Sequence, residues 1–356
     1  MSLFPVYEQD RAFYETHLRE FLPPRLFDIH CHIYLDRFRA PRVQDPNSRV
    51  AAWPELVARD NPVEDLQETY RLLFPDKEVS SLTFASCTFR DDIDANNVYV
   101  REAAASHPNL YGLYYSRPSQ RAEEVEAAVR AGGFLGLKSY LDLAPGYLPG
   151  NEIRIFDFFP HHLLEAADRH GWIVMLHIPR AGRLRDPVNL AQIKEIKRRY
   201  PRVRLIIAHV GRAYCPEDVG NAFEELADCG DLLFDFCANC CEPVFEQLIR
   251  AVGPERILFG SDMPILRMRT HRICENGTYI NLVPPGLYGD PKQDPHLREV
   301  SPQEAGQITF FMYEEIFAMK QAAEACGLSR SDINAMFYQN ARSLIDQVQA
   351  DSARSN

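Results

Sequence analysis

An α/β chain closed into a (β/α)8 TIM barrel is the fold this sequence predicts, on three observations. Eight short apolar runs rich in Val, Ile, Leu and Phe read as fully buried strands. They are 25–30 (RLFDIH), 80–86 (SSLTFAS), 110–116 (LYGLYYS), 134–140 (FLGLKSY), 172–177 (WIVMLH), 203–209 (VRLIIAH), 231–236 (DLLFDF) and 256–262 (RILFGSD). Stretches of helical character lie between most of them, which calls for parallel pairing through right-handed crossovers. Finally, an open nucleotide-binding sheet would want a glycine-rich phosphate loop after an early strand. Here the first strand runs into HCHIY instead.

In chain order, residues 5–22 read as an N-terminal helix leading into the first strand. Residues 35–62, with Pro, Asn, Asp and Arg, read as a long first βα loop. The intervening helices are expected over 93–107, 121–132, 157–171, 188–200, 217–230 and 243–253. Glycines at 132, 171, 230 and 253 stand where helix stops are expected. Residues 264–301 hold five prolines and three glycines and read as a second long loop, inserted after strand eight. Residues 302–346 read as C-terminal helices. No repeat or low-complexity linker divides the chain, so one elaborated domain over 1–356 is expected.

The formal net charge of −11 argues against nucleic acid or an anionic membrane as a partner. A small anionic substrate stays admissible, because a local group of arginines can hold one. No run approaches the ~18 consecutive apolar residues of a bilayer span. The N-terminus lacks a basic segment followed by an apolar one, so a cytoplasmic location is expected. The nine cysteines are scattered, and all are read as reduced thiols. Cys237, Cys240 and Cys241 cluster without the second pair that a zinc ribbon needs, which leaves buried thiols.

The polar groups that carry chemistry gather at one end of the strands. Residues two apart in a strand share a face, so His30 and His32 point together as strand one runs out. Alternation puts Asp28 on the same side, as a candidate supporting partner. Strands four, five, six and eight end in Lys138, His177, His209 and Asp262. In a barrel that rim is where active sites form, and imidazoles with a carboxylate suit a divalent transition metal. Tyr114, Tyr115 and Tyr140 either line the pocket or pack. After Asp262 come Arg267, Arg269, His271 and Arg272. They read either as a bidentate clamp for an acidic substrate or as a salt-bridged loop.

The sequence resembles the amidohydrolase superfamily in its amidohydrolase 2 branch. The resemblance rests on DIHCH at 28–32, GLKSY at 136–140, the strand-end His177 and His209, LFGSDMP at 258–264 and INAMFYQNARSLI at 333–345. It covers the whole barrel in order, whereas 35–62 and 264–301 match nothing in it. The resemblance implies one divalent metal, Zn2+ by default with Mn2+ or Fe2+ as alternatives, held by His30, His32, His177 and Asp262. His209 would stand beside the metal. Asp262 would take and return the proton of an activated water, and His209 would polarise the substrate. Lys138 would bridge two metals if carboxylated; otherwise it contacts substrate or forms an ion pair. Lys138, Tyr140, Arg267 and Arg269 are the candidate substrate-binding residues.

The main expectation is a metal-dependent hydrolase of an ester, lactone or amide in a small, carboxylate-bearing molecule. The alternative is a non-oxidative decarboxylase or hydratase of an unsaturated or aromatic acid on the same site. A non-catalytic metal-binding protein is the third reading. Family members are often dimers, so a homodimer is also an expectation.

Overall fold

The computed structural model describes residues 3–41, 49, 54–290 and 294–354. The portions 42–48 and 50–53 of the first loop, and 291–293 of the second, lie outside the described residues. Strand β1 (Arg25–His32) pairs in parallel with β2 (Glu78–Phe84), and β2 with β3 (Leu110–Gly112). A second parallel run comprises β4 (Tyr114–Tyr115), β5 (Gly136–Lys138), β6 (Ile173–Leu176), β7 (Arg204–Ile207), β8 (Leu233–Asp235) and β9 (Ile257–Leu258). β3 and β4 are halves of one strand, interrupted at Leu113, whose N–H still donates to Thr83 O at 2.9 Å.

The other seam closes where Ile29 N–H donates to Phe259 O and His32 N–H to Met263 O, both at 2.9 Å. The result is the expected (β/α)8 barrel, distorted by the Leu113 break and by a register shift between Asp28 and Cys31.

Inward-facing Phe27, Ile29, Leu82, Phe84, Leu113, Ile173, Met175 and Ile206 fill the barrel, so its interior is packed rather than open. Ala341, Leu344, Ile345 and Val348 of the C-terminal helix (Asn340–Arg354) belong to the same buried cluster. That helix plugs the end where the strands begin. Its Asp351 pairs with Arg204 at 2.7 Å, and the Arg25 guanidinium lies over the Tyr338 ring just before it. In barrels of this kind sites form at the opposite rim, where the strands end.

Most expected helices form: Ile93–Ser106, Ala122–Gly132, His161–His170, Pro187–Arg199 and Glu242–Val252. The first and fourth are capped by the side chains of Asp92 and Asp186. The helix expected over 217–230 does not run through. Gly220 takes φ 53°, leaving a short turn at Pro216–Asp218 and one helical turn at Ala222–Glu225. The left-handed cap expected at Gly132 falls on Gly133 (φ 65°). A helix at Val63–Leu73 lies beyond the expected set.

Residues 264–301 leave the barrel as expected but carry a small sheet. β10 (His271–Glu275) and β11 (Thr278–Val283) form a hairpin, and β12 (Leu297–Glu299) adds in parallel to β11. The hairpin turns on Asn276 and Gly277, both at positive φ (52° and 72°), as a two-residue primed turn requires. A Cys215–Cys274 disulfide ties β10 to the segment after β7, which corrects the reading of every cysteine as reduced. No helix among the described residues is long and apolar enough to cross a membrane.

Candidate metal centre

The end of β1 is held by Asp28. Its carboxylate accepts the N–H of His30 (3.1 Å) and of Ser261 (2.9 Å), the Tyr70 hydroxyl (2.6 Å) and the Ser261 hydroxyl. Burial pushes this carboxyl up to about 7 in spite of those four donors. Asp28 therefore fixes the backbone carrying His30 rather than the imidazole itself.

The opposing segment follows from its own residues. A side chain at Gly260 would come within 2.9 Å of His30 Cβ, so the two backbones meet closely only because position 260 is glycine. Ser261 and Asp262 both donate their N–H to His30 O, at 3.1 and 2.7 Å. Asp262 adopts φ 52°, a conformation costly for most residues but tolerated by Asp. That turn aims its carboxylate at the histidines: Oδ1 lies 3.0 Å from His32 Nε2 and 3.6 Å from His30 Nε2.

The imidazoles are oriented from behind. His30 Nδ1 is 2.9 Å from Asp235 Oδ2, His32 Nδ1 is 3.2 Å from Ala85 O, and His209 Nδ1 is 3.0 Å from Cys237 O. A proton donated along the His30 and His209 contacts leaves Nε2 of each with the free lone pair, the arrangement that metal-binding histidines use, whereas His32 turns its Nε2 to Asp262 Oδ1. Burial lowers the pKa of His30 and takes His209 down to about 4. For His177, burial and then the nearby Arg212 do the same more strongly. These three rings are neutral, ligand-competent donors at neutral pH. Burial opposes ionisation of Asp262, but the bond from His32 outweighs it and holds the carboxyl well below its usual range.

Metal-type donor atoms of His30, His32 and Asp262 all lie within 4.8 Å of one another, as do those of His30, His209 and Cys237. His177 stands outside both groups. Its ring is 5.2 Å from that of His209, and its Nδ1 is buried without a hydrogen-bond partner. An orphaned imidazole nitrogen beside neutral imidazoles and an ionised carboxylate is a donor set that fits a divalent ion.

The candidate substrate residues divide. Lys138 is buried at the end of β5 with its ammonium over the Phe84 ring (5.0 Å), and burial draws it down to about 8. No carboxylate among the described residues pairs with it. The Tyr140 ring packs 4.8 Å from that of His177. Arg267 donates to Asn61, whose amide in turn donates to His32 O at 2.6 Å, so it flanks the histidines.

Arg269 does not belong to the clamp, and that expectation is corrected. Its guanidinium forks onto Asp10 (2.9 and 2.6 Å), which is fully buried on the N-terminal helix, between the Tyr7 and Phe310 rings. Removing one partner of such a pair strands a buried charge. Arg269→Ala is therefore expected to lower stability by about 3–5 kcal/mol in urea unfolding. A KM shift without such a loss would return Arg269 to the substrate.

Sequence reasoning missed two groups here. Asp235, ending β8, accepts from His30, from the His209 N–H (2.7 Å) and from the Cys237 thiol (2.9 Å). The second is a turn of left-handed backbone: His209, Val210, Gly211 and Arg212 take φ of 57°, 49°, 62° and 59°. Each non-glycine there costs roughly 1–2 kcal/mol, and backbone strain of this kind gathers at functional sites.

A family model described as amidohydrolase matches residues 27–346. No curated protein matches the chain significantly in sequence. Among solved structures, it is similar to 4-oxalomesaconate hydratase from Rhodopseudomonas palustris (17% identity, TM-score 0.54, covering 91% of this chain and 97% of that one). It is also similar to 2,6-dihydroxybenzoate decarboxylase from Rhizobium (14%, TM-score 0.54, 92% and 99%). A third is 5-carboxyvanillate decarboxylase from Novosphingobium aromaticivorans, complexed with manganese (12%, TM-score 0.54, 91% and 96%). With the barrel, its histidine rim and the family match running together through most of the sequence, the chain belongs to the amidohydrolase family, in its amidohydrolase 2 branch, and is a metal-dependent enzyme of that kind.

Proposed function

We propose that this chain is a non-oxidative decarboxylase or hydratase of a small unsaturated or aromatic carboxylic acid. The observation that carries the reading is the set of imidazoles turned toward the ionised Asp262 carboxylate at one rim of the barrel. The three similar structures named above bear the names of a hydratase and two decarboxylases, which favours this chemistry over the ester, lactone or amide hydrolysis expected from the sequence.

His30, His32, His177 and Asp262 would hold the ion. Imidazole donors suit zinc, and the manganese held by the 5-carboxyvanillate decarboxylase structure makes manganese an equal candidate. A divalent ion bound there supplies Lewis acidity toward a carboxylate or a water.

The remaining roles fall to this chain's own groups. Loss of carbon dioxide from an sp2 carbon needs a proton delivered to that carbon, and hydration needs one moved from water to the substrate. Asp262 can hold and pass that proton. His209, with Nδ1 tied to Cys237 O, presents Nε2 as a fixed hydrogen-bonding atom. The Lys138 ammonium faces a developing negative charge from a buried position, where it acts at low dielectric. Phe84 and Tyr140 wall the site against water.

The test is a panel of aromatic and unsaturated acids beside lactones, given to zinc- and manganese-loaded protein, with carbon dioxide release and product absorbance followed. An acid is expected to lose carbon dioxide or gain water, and a chelator to abolish that turnover. Turnover of lactones alone would return the assignment to hydrolysis.

A further inference from the structure

A cavity of about 220 Å³ opens beside His177, smaller than the ~300–1,000 Å³ that drug-sized ligands occupy. Its lining includes His177, Tyr140, Arg212 and Arg49 and, among the described residues, no acidic one. In a chain of net charge −11, two guanidinium groups on one small cavity with no described acid in its lining are a local reversal of sign.

The two arginines are held differently. Arg49 donates to the carbonyls of Ala144 (2.9 Å), Pro145 (3.0 Å) and Leu148 (2.6 Å), which pins the segment that forms one wall. Arg212 uses Nη1 alone, toward the carbonyls of Ile178 (3.3 Å) and Pro179 (3.2 Å), with a longer contact to Arg180 O. Those carbonyls steady the planar group but leave its charge without a carboxylate counter-ion among the described residues.

Its direction comes from the left-handed turn. Gly211 packs on Leu184, where a side chain would come within 2.6 Å, and His209 at the other end of the turn is anchored on Asp235. One strained turn thus sets His209 toward the metal donors and Arg212 toward the cavity three residues on.

We infer that this cavity is an anion subsite in which Arg212 receives a second carboxylate of the substrate, so that the preferred substrate is a small planar dicarboxylic acid. One carboxylate would lie at the histidine rim and react, while the other binds the Nε–Nη2 edge of Arg212 as a fork. Tyr140, packed against His177, forms the flat wall for the conjugated part between them. The inference rests on the proposed reaction and names its substrate class.

The test uses the full metal-loaded chain with Arg212→Gln and Arg212→Lys, on matched aromatic mono- and dicarboxylic acids. Hydrogen bonds to charged groups lead us to expect the diacid-to-monoacid ratio of kcat/KM to fall about 10–100-fold in Arg212→Gln, mostly through KM, with partial recovery in Arg212→Lys. Melting temperature and metal content report on folding of each variant. Calorimetric binding of benzene-1,3-dicarboxylate separates this inference from the reaction beneath it. If no acid is turned over but the dianion binds wild type and is lost in Arg212→Gln, the subsite stands and the reaction falls. If acids are turned over while the ratio and the dianion affinity stay at wild-type values in a folded Arg212→Gln, the subsite is overturned alone.

Discussion

Asp262→Asn is expected to lower kcat by about 10²–10⁴-fold, the range lost when a positioned proton-transfer group is removed, while the barrel stays folded. The backbone argument comes first. Asp262 sits at φ 52°, and asparagine is among the few residues that accept that region. The N–H bond of residue 262 to His30 O involves no side chain and survives the change. What is lost is the charge and the ability to carry a proton. The carboxyl, bonded from His32 at 3.0 Å, is held well below its usual range and so is ionised, and a carboxamide in its place neither accepts a proton nor balances a cation. Metal content therefore also falls, though less than turnover, since the imidazoles remain. Kinetics at saturating metal, with metal content and near-ultraviolet circular dichroism measured on the same sample, check this. Wild-type kcat in a folded, metal-replete variant would remove Asp262 from proton transfer.

What could be read in advance, and what could not, follows from the range of the interactions. His30 and His32 were legible because strand alternation is local, and the end of an apolar run marks a barrel rim. The Gly260–Asp262 turn was legible as a motif, although its physical reason, the approach to His30 Cβ, spans 230 residues. Asp235 was hidden inside DLLFDF, where an acid after an apolar run reads equally as a strand terminus. Only the fold brings it within 2.9 Å of His30.

Arg212 was hidden for another reason, since nothing in AHVGRAY announces a turn of left-handed backbone built mostly from side-chain-bearing residues. The β10–β11 hairpin was missed in spite of a local signal: Asn276-Gly277 between RICE and TYINLV marks a two-residue turn. Arg269 was misassigned because a run of arginines cannot say which of them meets Asp10, 259 residues away.

Asp235→Asn is expected to weaken metal binding by about 10–100-fold, the usual cost of disturbing the group behind a ligating histidine. The native carboxylate can only accept, so His30 must place its proton on Nδ1 and keep the Nε2 lone pair for the ion. A carboxamide offers a donor as well as an acceptor. Turned one way, it preserves that tautomer with a weaker, neutral bond. Turned the other, it donates to Nδ1, moves the proton to Nε2 and blocks the ligand. The variant also removes a buried negative charge that would help balance a cation, and it weakens the acceptor for the His209 N–H and the Cys237 thiol. Two donor groups, His30 and the start of the left-handed turn, are thus loosened by one substitution. Titration of metal-free protein against a chelator of known affinity reads the effect, and raising the metal concentration should restore a large part of kcat. Unchanged affinity would mean that Asp235 serves only to hold β8 and the turn after β7 together. The cost would then show in thermal unfolding instead, with His30 ligating equally well without a carboxylate behind it.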